Sequence, residues 1–457
     1  MKKIFYLILP VVLLCQACKD LGSDPVPEYY NRDTDVMKML KERVDFCKKD
    51  VGIVVGIING DETKVYSYGQ IDKNKSDVPD GNTIYEIGSI SKTFTCTILA
   101  DMVLKREIGL DDPAQKYLPE NIKVPTFNGK QITLRHLATH TSGLPRDPEN
   151  FTDPQSTTEQ FFGSLLSFRL TRSPGSQYEY SNFGVTLLGY ILSKKAGKDY
   201  PTLLKERILD PLGMNDTYVN VPASALSRCA TPYNSIVAEA SPWNIADINL
   251  SGAGAIKSTV NDVLKYMAAN MGMVQTSLDA AIQYTHNKLV CNIIGPGWSI
   301  GLGWHILDIS GTEYITHGGA TYGFATSCYF DPVNKLGALV FTNSRAQSDT
   351  KDDVSNFCLY NIIANEKSVR IDPAILDDYI GTFRSQSNFT ITFTREGNCL
   401  FAETSGYPKY EIYPESKDKF FWANWDATVS FFRNSNGKVY SLQWKFGDKI
   451  FNANKVN

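Results

Sequence analysis

Histidine is scarce in this chain: five in 457 residues, none spaced as a zinc site. No Walker-type loop is present, so nucleoside triphosphates have no phosphate cradle. Lys and Arg number 46 against 49 Asp and Glu, a formal net charge of -3, and this balance gives no reason to expect nucleic acid as a partner. No internal repeat and no low-complexity tract interrupts the text. Nothing calls for a cofactor or a metal. What remains is an ordinary globular composition, 42% hydrophobic and 21% charged, in a chain long enough for two or three domains.

The longest apolar run near the start, Ile4 to Leu14, is too short for a bilayer core of ~30 Å. It follows Lys2 and Lys3 and precedes "CQAC", so residues 1–18 read as an export signal. The small Ala17 before Cys18 resembles the lipobox of bacterial lipoproteins, in which the cysteine is lipidated. Lys19 and Asp20 resemble the surface-export signals of some lipoproteins, or form a plain polar tether. The expected location is the bacterial envelope, membrane-anchored through the lipid, facing the periplasm or the cell surface. Seven cysteines lie beyond Cys18, an odd number without framework spacing, so most read as small core residues, with one disulfide possible.

Residues 19–34 form a polar, proline-bearing tether, and 35–48 have the spacing of a short amphipathic helix. "VGIVVGIING" then "ETKVYSYGQ" predicts two strands around a turn at Asn59–Gly60. Phe94, Ile98, Leu99, Met102 and Val103 repeat with helical period. From about 110 to 290 the text is helical and loop-rich. Strands return with "GLGWHILDI", "YITHGG", "GFATSCYFD" and "LGALVFTNS". The fold class is α+β: one antiparallel sheet flanked by helices, built from both ends of residues 35–365, with an all-helical lobe between. Residues 366–457 alternate apolar and polar with no helical stretch, and predict a small all-β barrel or sandwich.

Chemistry concentrates in three places. In "YEIGSISKTFT", Ser89 precedes Lys92 by three residues, one helical turn on the same face. A neutral, buried lysine can take a serine proton, and a helix start offers N–H groups to an oxyanion. Ser-x-x-Lys also occurs at Ser348, Ser416 and Ser435, but only Ser89 stands at a strand-to-helix junction. In "PGSQYEYSNFG", Tyr180 can relay a proton if a cation lowers its pKa, and Asn182 can hold a substrate carbonyl and the lysine. Tyr-x-Asn recurs at Tyr29 and Tyr218, so its setting before an apolar helix carries the signal. In "THGGATYGF", His317, Gly318 and Gly319 predict a strand bare of side chains, an edge with which a peptide-like substrate can pair. The Ala320 N–H would be one oxyanion donor and that of Ser89 the other. His317 is read either as part of this motif or as a polar strand-end cap. Asn343 and Arg345, after "ALVF", are placed to reach a substrate carboxylate or to lie in solvent. His136 and His140 are four apart, but no carboxylate follows at useful spacing, which argues against a metal.

The three motifs stand in the order and wide spacing of a known family. Residues 35 to 360 resemble the serine β-lactamase and penicillin-binding protein superfamily, nearest to class C β-lactamases and the related D-peptidases and esterases. "EIGSISKTFT", "ITLRHLATHTSGLP", "PGSQYEYSNFGVTLLGYIL", "GAGAIKSTVNDVLKYM", "GLGW" and "HGGATYGF" carry the likeness. The resemblance implies that Ser89 is acylated, that Lys92 and Tyr180 handle its proton, that Asn182 orients substrate, and that residues 317–320 form the strand motif. It implies an α/β lobe and a helical lobe with the site between them. His-Gly-Gly replaces the Lys-Thr-Gly of class C β-lactamases, as in the esterase and peptidase branch. Residues 366–457 resemble the lipocalin-like barrels appended to some of these peptidases.

The leading expectation is therefore an exported serine hydrolase acting on an amide, ester or lactam carbonyl. The alternatives are a penicillin-binding sensor acylated once without turnover, and an envelope-binding protein working through its barrel.

Overall fold

The structure is a computed structural model that describes residues 32–46, 50–148, 157–234, 238–244, 247–295, 297–309, 311–345, 368–369, 371–386, 389–397, 399–404, 409–422, 427–447 and 449–456. Cys18 and Ser348 lie outside the described residues, as do Cys47 and Cys358. Among the described cysteines, Cys96, Cys229, Cys291 and Cys328 are free thiols.

The helices are α1 (Arg32–Lys41), α2 (Ser91–Leu104), α3 (Leu134–Ala138), α4 (Thr158–Ser167), α5 (Asn182–Ala196), α6 (Tyr200–Leu204), α7 (Asp210–Leu212), α8 (Val260–Asn270) and α9 (Asp279–Thr285). The first twelve strands are β1 (Gly52–Asn59), β2 (Glu62–Gly69), β3 (Ile84–Glu86), β4 (Thr126–Phe127), β5 (Lys130–Gln131), β6 (Lys257–Thr259), β7 (Val290–Cys291), β8 (Trp298–Ile300), β9 (His305–Ile309), β10 (Thr312–Ala320), β11 (Ala325–Asp331) and β12 (Leu336–Thr342).

The main sheet runs β2-β1-β12-β11-β10-β9-β8-β7. β1 lies antiparallel to β12, with Val55 opposite Val340, so the N-terminal hairpin zips onto the C-terminal strands as the hydrophobic runs predicted. Both β1 and β12 are buried almost throughout, because α8 covers one face: Val260 and Leu264 pack onto Gly56, and Met267 onto Gly337. β10 is not the edge strand expected. β9 and β11 flank it, although β9 has five residues and cannot pair along all nine of β10.

α2 runs through the core, buried on every side from Ser91 to Met102. Its hydroxyls are satisfied internally: Thr93 donates to the Ile90 carbonyl, Thr95 to that of Gly252, and Thr97 to that of Thr93. Such a helix shows a weak amphipathic stripe, because no face meets water.

The C-terminal unit is a closed barrel in the order β13 (Gly381–Ser385), β14 (Thr390–Glu396), β15 (Cys399–Thr404), β16 (Tyr410–Ser416), β17 (Lys419–Phe421), β18 (Ala427–Arg433), β19 (Val439–Phe446) and β20 (Lys449–Val456). β13 pairs with β20, which closes the ring and removes the sheet edges. Phe383, Phe393, Phe420 and Phe431 fill its interior around Tyr379. A short 3₁₀ turn, Pro373–Asp378, precedes the first strand where no helical stretch was expected. Its Asp372 side chain caps it by accepting the Ala374 N–H.

Candidate active site

β3 delivers the chain into a 3₁₀ turn, Gly88–Ile90, and α2 follows at Ser91, two residues later than the sequence suggests. The bend is possible because Gly88 takes φ +51°, where a side chain is strained. A Cβ there would also lie 2.6 Å from the Ala320 nitrogen. The Ala320 amide therefore sits against the residue that precedes Ser89. The Ile87 N–H donates to the Ile256 carbonyl at 3.0 Å and fixes the turn from behind.

Ser89 remains half-buried while its neighbours are closed off. Lys92 is fully buried, and its Nζ stands 2.9 Å from Ser89 Oγ and 2.7 Å from the Ala253 carbonyl. Burial, helped by the positive charge of Arg146, pushes the Lys92 pKa down to about 7. The Lys92 amine lies 5.0 Å from the centre of the Tyr180 ring, and the Arg146 guanidinium carbon 5.1 Å from it. Burial raises the Tyr180 phenol's pKa, and a hydrogen bond with Ser89 offsets part of that rise. The expected depression of the tyrosine is thus reversed. Of the two groups beside Ser89, lysine gives up its proton first.

Tyr180 projects from an extended segment that its neighbours hold. The Glu179 N–H donates to the His140 carbonyl at 2.7 Å, and the Ser181 N–H to His140 Nδ1 at 3.1 Å. The Ser181 hydroxyl donates to the Pro145 carbonyl and accepts the Gly184 N–H, capping α5. Asn182 opens α5, and its amide donates to both Asp147 oxygens, at 3.0 and 3.2 Å.

Gly319 has a steric reason to be glycine: a Cβ would stand 2.0 Å from the Ile87 carbonyl oxygen. That contact brings β10 onto the turn that carries Ser89. His317 is buried, with Nδ1 2.7 Å from the Gly318 oxygen and Nε2 without a hydrogen-bond partner among the described residues. Burial keeps His317 and His140 well below the ordinary histidine range, so both are neutral.

Ser89, Lys92, Tyr180, His317, Gly319 and Ala320 are thus drawn together, with the Tyr180 ring 6.3 Å from that of His317, while Asn182, two residues after Tyr180, has its amide nitrogen on Asp147. Asn343 is the exception. It is fully buried, its side-chain oxygen accepts the Gly52 N–H at 2.8 Å, and its amide donates to the carbonyls of Gln70, Ile71 and Thr231. With every polar atom committed to the fold, it has nothing left for a substrate carboxylate. Arg345 is exposed and donates to the Thr321 carbonyl at 2.8 Å.

Four contributors stand outside the motifs. His140 sits 4.4 Å from the Tyr180 ring; its spacing from His136 drew attention to metals, and among the described residues no group of three or more His, Cys, Asp or Glu can hold one. Arg146 and Asp147 follow "SGLP" without a motif of their own. The Ala253 carbonyl is invisible to any reading by side chain.

Residues 43–358 match the family model described as Beta-lactamase. The chain belongs to this family. It is a serine hydrolase of the β-lactamase-related kind, within the superfamily that the motifs suggested. Relatives include the D-alanyl-D-alanine-carboxypeptidase/endopeptidase AmpH of Escherichia coli K12, 30% identical over 331 residues, covering 67% of this chain and 83% of that protein. A beta-lactamase of Pseudomonas fluorescens is 28% identical over 279 residues, covering 60% and 75%. Among solved structures, a beta-lactamase/D-alanine carboxypeptidase from Yersinia pestis aligns with a TM-score of 0.61 at 24% identity, over 70% of this chain and 97% of that one. A class C beta-lactamase aligns with a TM-score of 0.64 at 24% identity, over 74% and 97%. Residues 365–455 match a domain of unknown function, DUF3471.

Proposed function

We propose that this β-lactamase-family hydrolase works through an acyl-enzyme on Ser89. The observation that carries the reading is the 2.9 Å contact between Ser89 Oγ and a buried lysine whose pKa is near neutrality. Neutral Lys92 takes the Ser89 proton as Oγ attacks the carbonyl carbon. The N–H groups of Ser89 and Ala320 receive the oxyanion. When the intermediate collapses, the carbon–leaving-group bond breaks and its electron pair goes to the leaving atom. Tyr180 donates a proton to that atom, and the ammonium of Lys92 restores the phenol. Water then enters by the reverse route and releases the acid. Asn182, whose amide nitrogen donates to Asp147, keeps its side-chain oxygen for a substrate N–H and not for the carbonyl first expected of it.

The substrate classes in view are D-alanyl peptides, β-lactams and esters. The first two are named for relatives, and the neutral His317 in place of a lysine argues against efficient β-lactam turnover. We place the protein in the bacterial envelope, anchored by a lipid on Cys18, with the hydrolase in residues 35–365 and the barrel in 366–457 as an appendage that binds envelope polymers.

A fluorophosphonate or labelled penicillin should modify Ser89, and Ser89→Ala should lose both labelling and hydrolysis. Persistent labelling of Ser89→Ala removes the proposal. One equivalent of product with no steady state turns it into an acyl acceptor without turnover. Nitrocefin, p-nitrophenyl esters and D-Ala-D-Ala peptides, tried on protein lacking residues 1–18, separate the substrate classes. Globomycin-sensitive processing and loss of the anchor in Cys18→Ala test lipidation.

A further inference from the structure

The backbone N–H groups of Glu179, Ser181 and Asn182 donate to acceptors within residues 140–147, and the Glu179 carboxylate pairs with Arg172. A tie of another origin reaches Tyr178. Its hydroxyl lies 2.8 Å from Nε2 of His305, the first residue of β9 in the main sheet. Residues two apart on an extended segment present their side chains to the same side, so holding the Tyr178 ring also holds the side on which Tyr180 lies. The His305 ring is nearly parallel to that of Tyr180, at 17° and 6.4 Å between centres, and 5.2 Å from that of His317. Trp298 backs it at 6.4 Å. Burial and the nearby Lys92 hold His305 down at about 4, so it stays neutral wherever Lys92 can act as a base. Neither Tyr178 nor His305 has a part in the proton transfers described above.

We propose that Tyr178 and His305 are positioning residues whose hydrogen bond, from the sheet to the helical lobe, sets the Tyr180 phenol at the distance needed to protonate the leaving group. The inference rests on the roles proposed for Ser89 and Tyr180. Its consequence depends on the leaving group. An alkoxide or amine must take a proton as it departs, whereas p-nitrophenolate leaves without one. Loosening Tyr180 therefore penalises poor leaving groups selectively.

The test compares ethyl butyrate with p-nitrophenyl butyrate on the full chain. Tyr178→Phe and His305→Ala should each lower kcat/KM, which reports the acylation step and not the deacylation that the two esters share, about 10- to 100-fold for the ethyl ester and less than about threefold for the p-nitrophenyl ester. The double variant should be no worse than either single one, because both remove the same bond. His305→Gln, which keeps a hydrogen-bonding group, should recover part of the loss. A purely structural role would move both substrates together, so a parallel fall, or no fall in either, overturns the proposal. Failure of the Ser89 reading looks different: there the fluorophosphonate would label Ser89→Ala, whatever the ester ratio.

Discussion

The carbonyl oxygen of Ile87 occupies the place where a side chain on Gly319 would begin, 2.0 Å from its ideal Cβ position. One backbone thus lies directly on another, and the distance between β10 and the Ser89 turn is set by the absence of a methyl group. The Thr326 hydroxyl closes the same space at 2.4 Å and donates to that carbonyl.

Gly319→Ala should therefore separate β10 from Ser89. A flexible side chain could move aside, but a backbone carbonyl tied to Thr326 cannot do so cheaply. The Ala320 N–H is then misplaced, and the loss of one oxyanion donor costs roughly 10²–10³ in kcat. Steady-state kinetics on the p-nitrophenyl ester measure it; a kcat within threefold of the parent would contradict the packing argument.

In the proposed mechanism Lys92 must be neutral to accept the Ser89 proton, so activity should rise with pH through about 7 and then level off. Tyr180 must stay protonated to act as a donor. Its raised pKa keeps it so beyond the plateau, and no alkaline fall follows until high pH. The pH dependence of kcat/KM reports both limbs. Lys92→Arg, which cannot lose its proton near neutrality, should abolish turnover.

The same lysine weakens the fold. Its folded pKa of about 7 lies below the ordinary lysine value, so between about pH 7 and 10.4 the unfolded chain binds more protons and stability rises with pH. Lys92→Met removes that dependence. Chemical denaturation should show the variant more stable at pH 7, with the gap narrowing towards pH 10, although it is inactive. A gap that widens with pH would reverse the assigned shift.

Asn343→Ala should act on stability and leave substrate affinity alone. It strips a partner from the Gly52 N–H and from the carbonyls of Gln70, Ile71 and Thr231. The cost should be at least about 2 kcal/mol in unfolding free energy. KM for carboxylate-bearing and neutral substrates should change alike. A selective rise in KM for the carboxylates would restore the role first expected of it.

In the barrel, Phe431 meets Tyr379, Phe383, Phe393 and Phe420 with ring centres 4.6 to 5.8 Å apart. Phe431→Ala should destabilise this unit by roughly 3–5 kcal/mol. Limited proteolysis of the full chain should show cleavage within 366–457 while the hydrolase domain stays intact.

The sequence alone determined what depends on neighbours along the chain. Lys92 falls one turn after Ser89 in any helix, alternation marks the barrel strands, and the Asn59–Gly60 pair predicts its hairpin. It also carried the ordered motifs by which the family is legible. Contacts across the chain were decided only in the folded molecule. Asn343 looked like a ligand because an amide at a strand end is free until distant carbonyls claim it. A relay by Tyr180 was conditional on a cation lowering its pKa, but burial outweighs the charge beside it. His305 carried no signal, since its partner Tyr178 is 127 residues away. Position in sequence limits local geometry, whereas desolvation and long-range hydrogen bonds exist only once the two lobes have closed around the serine.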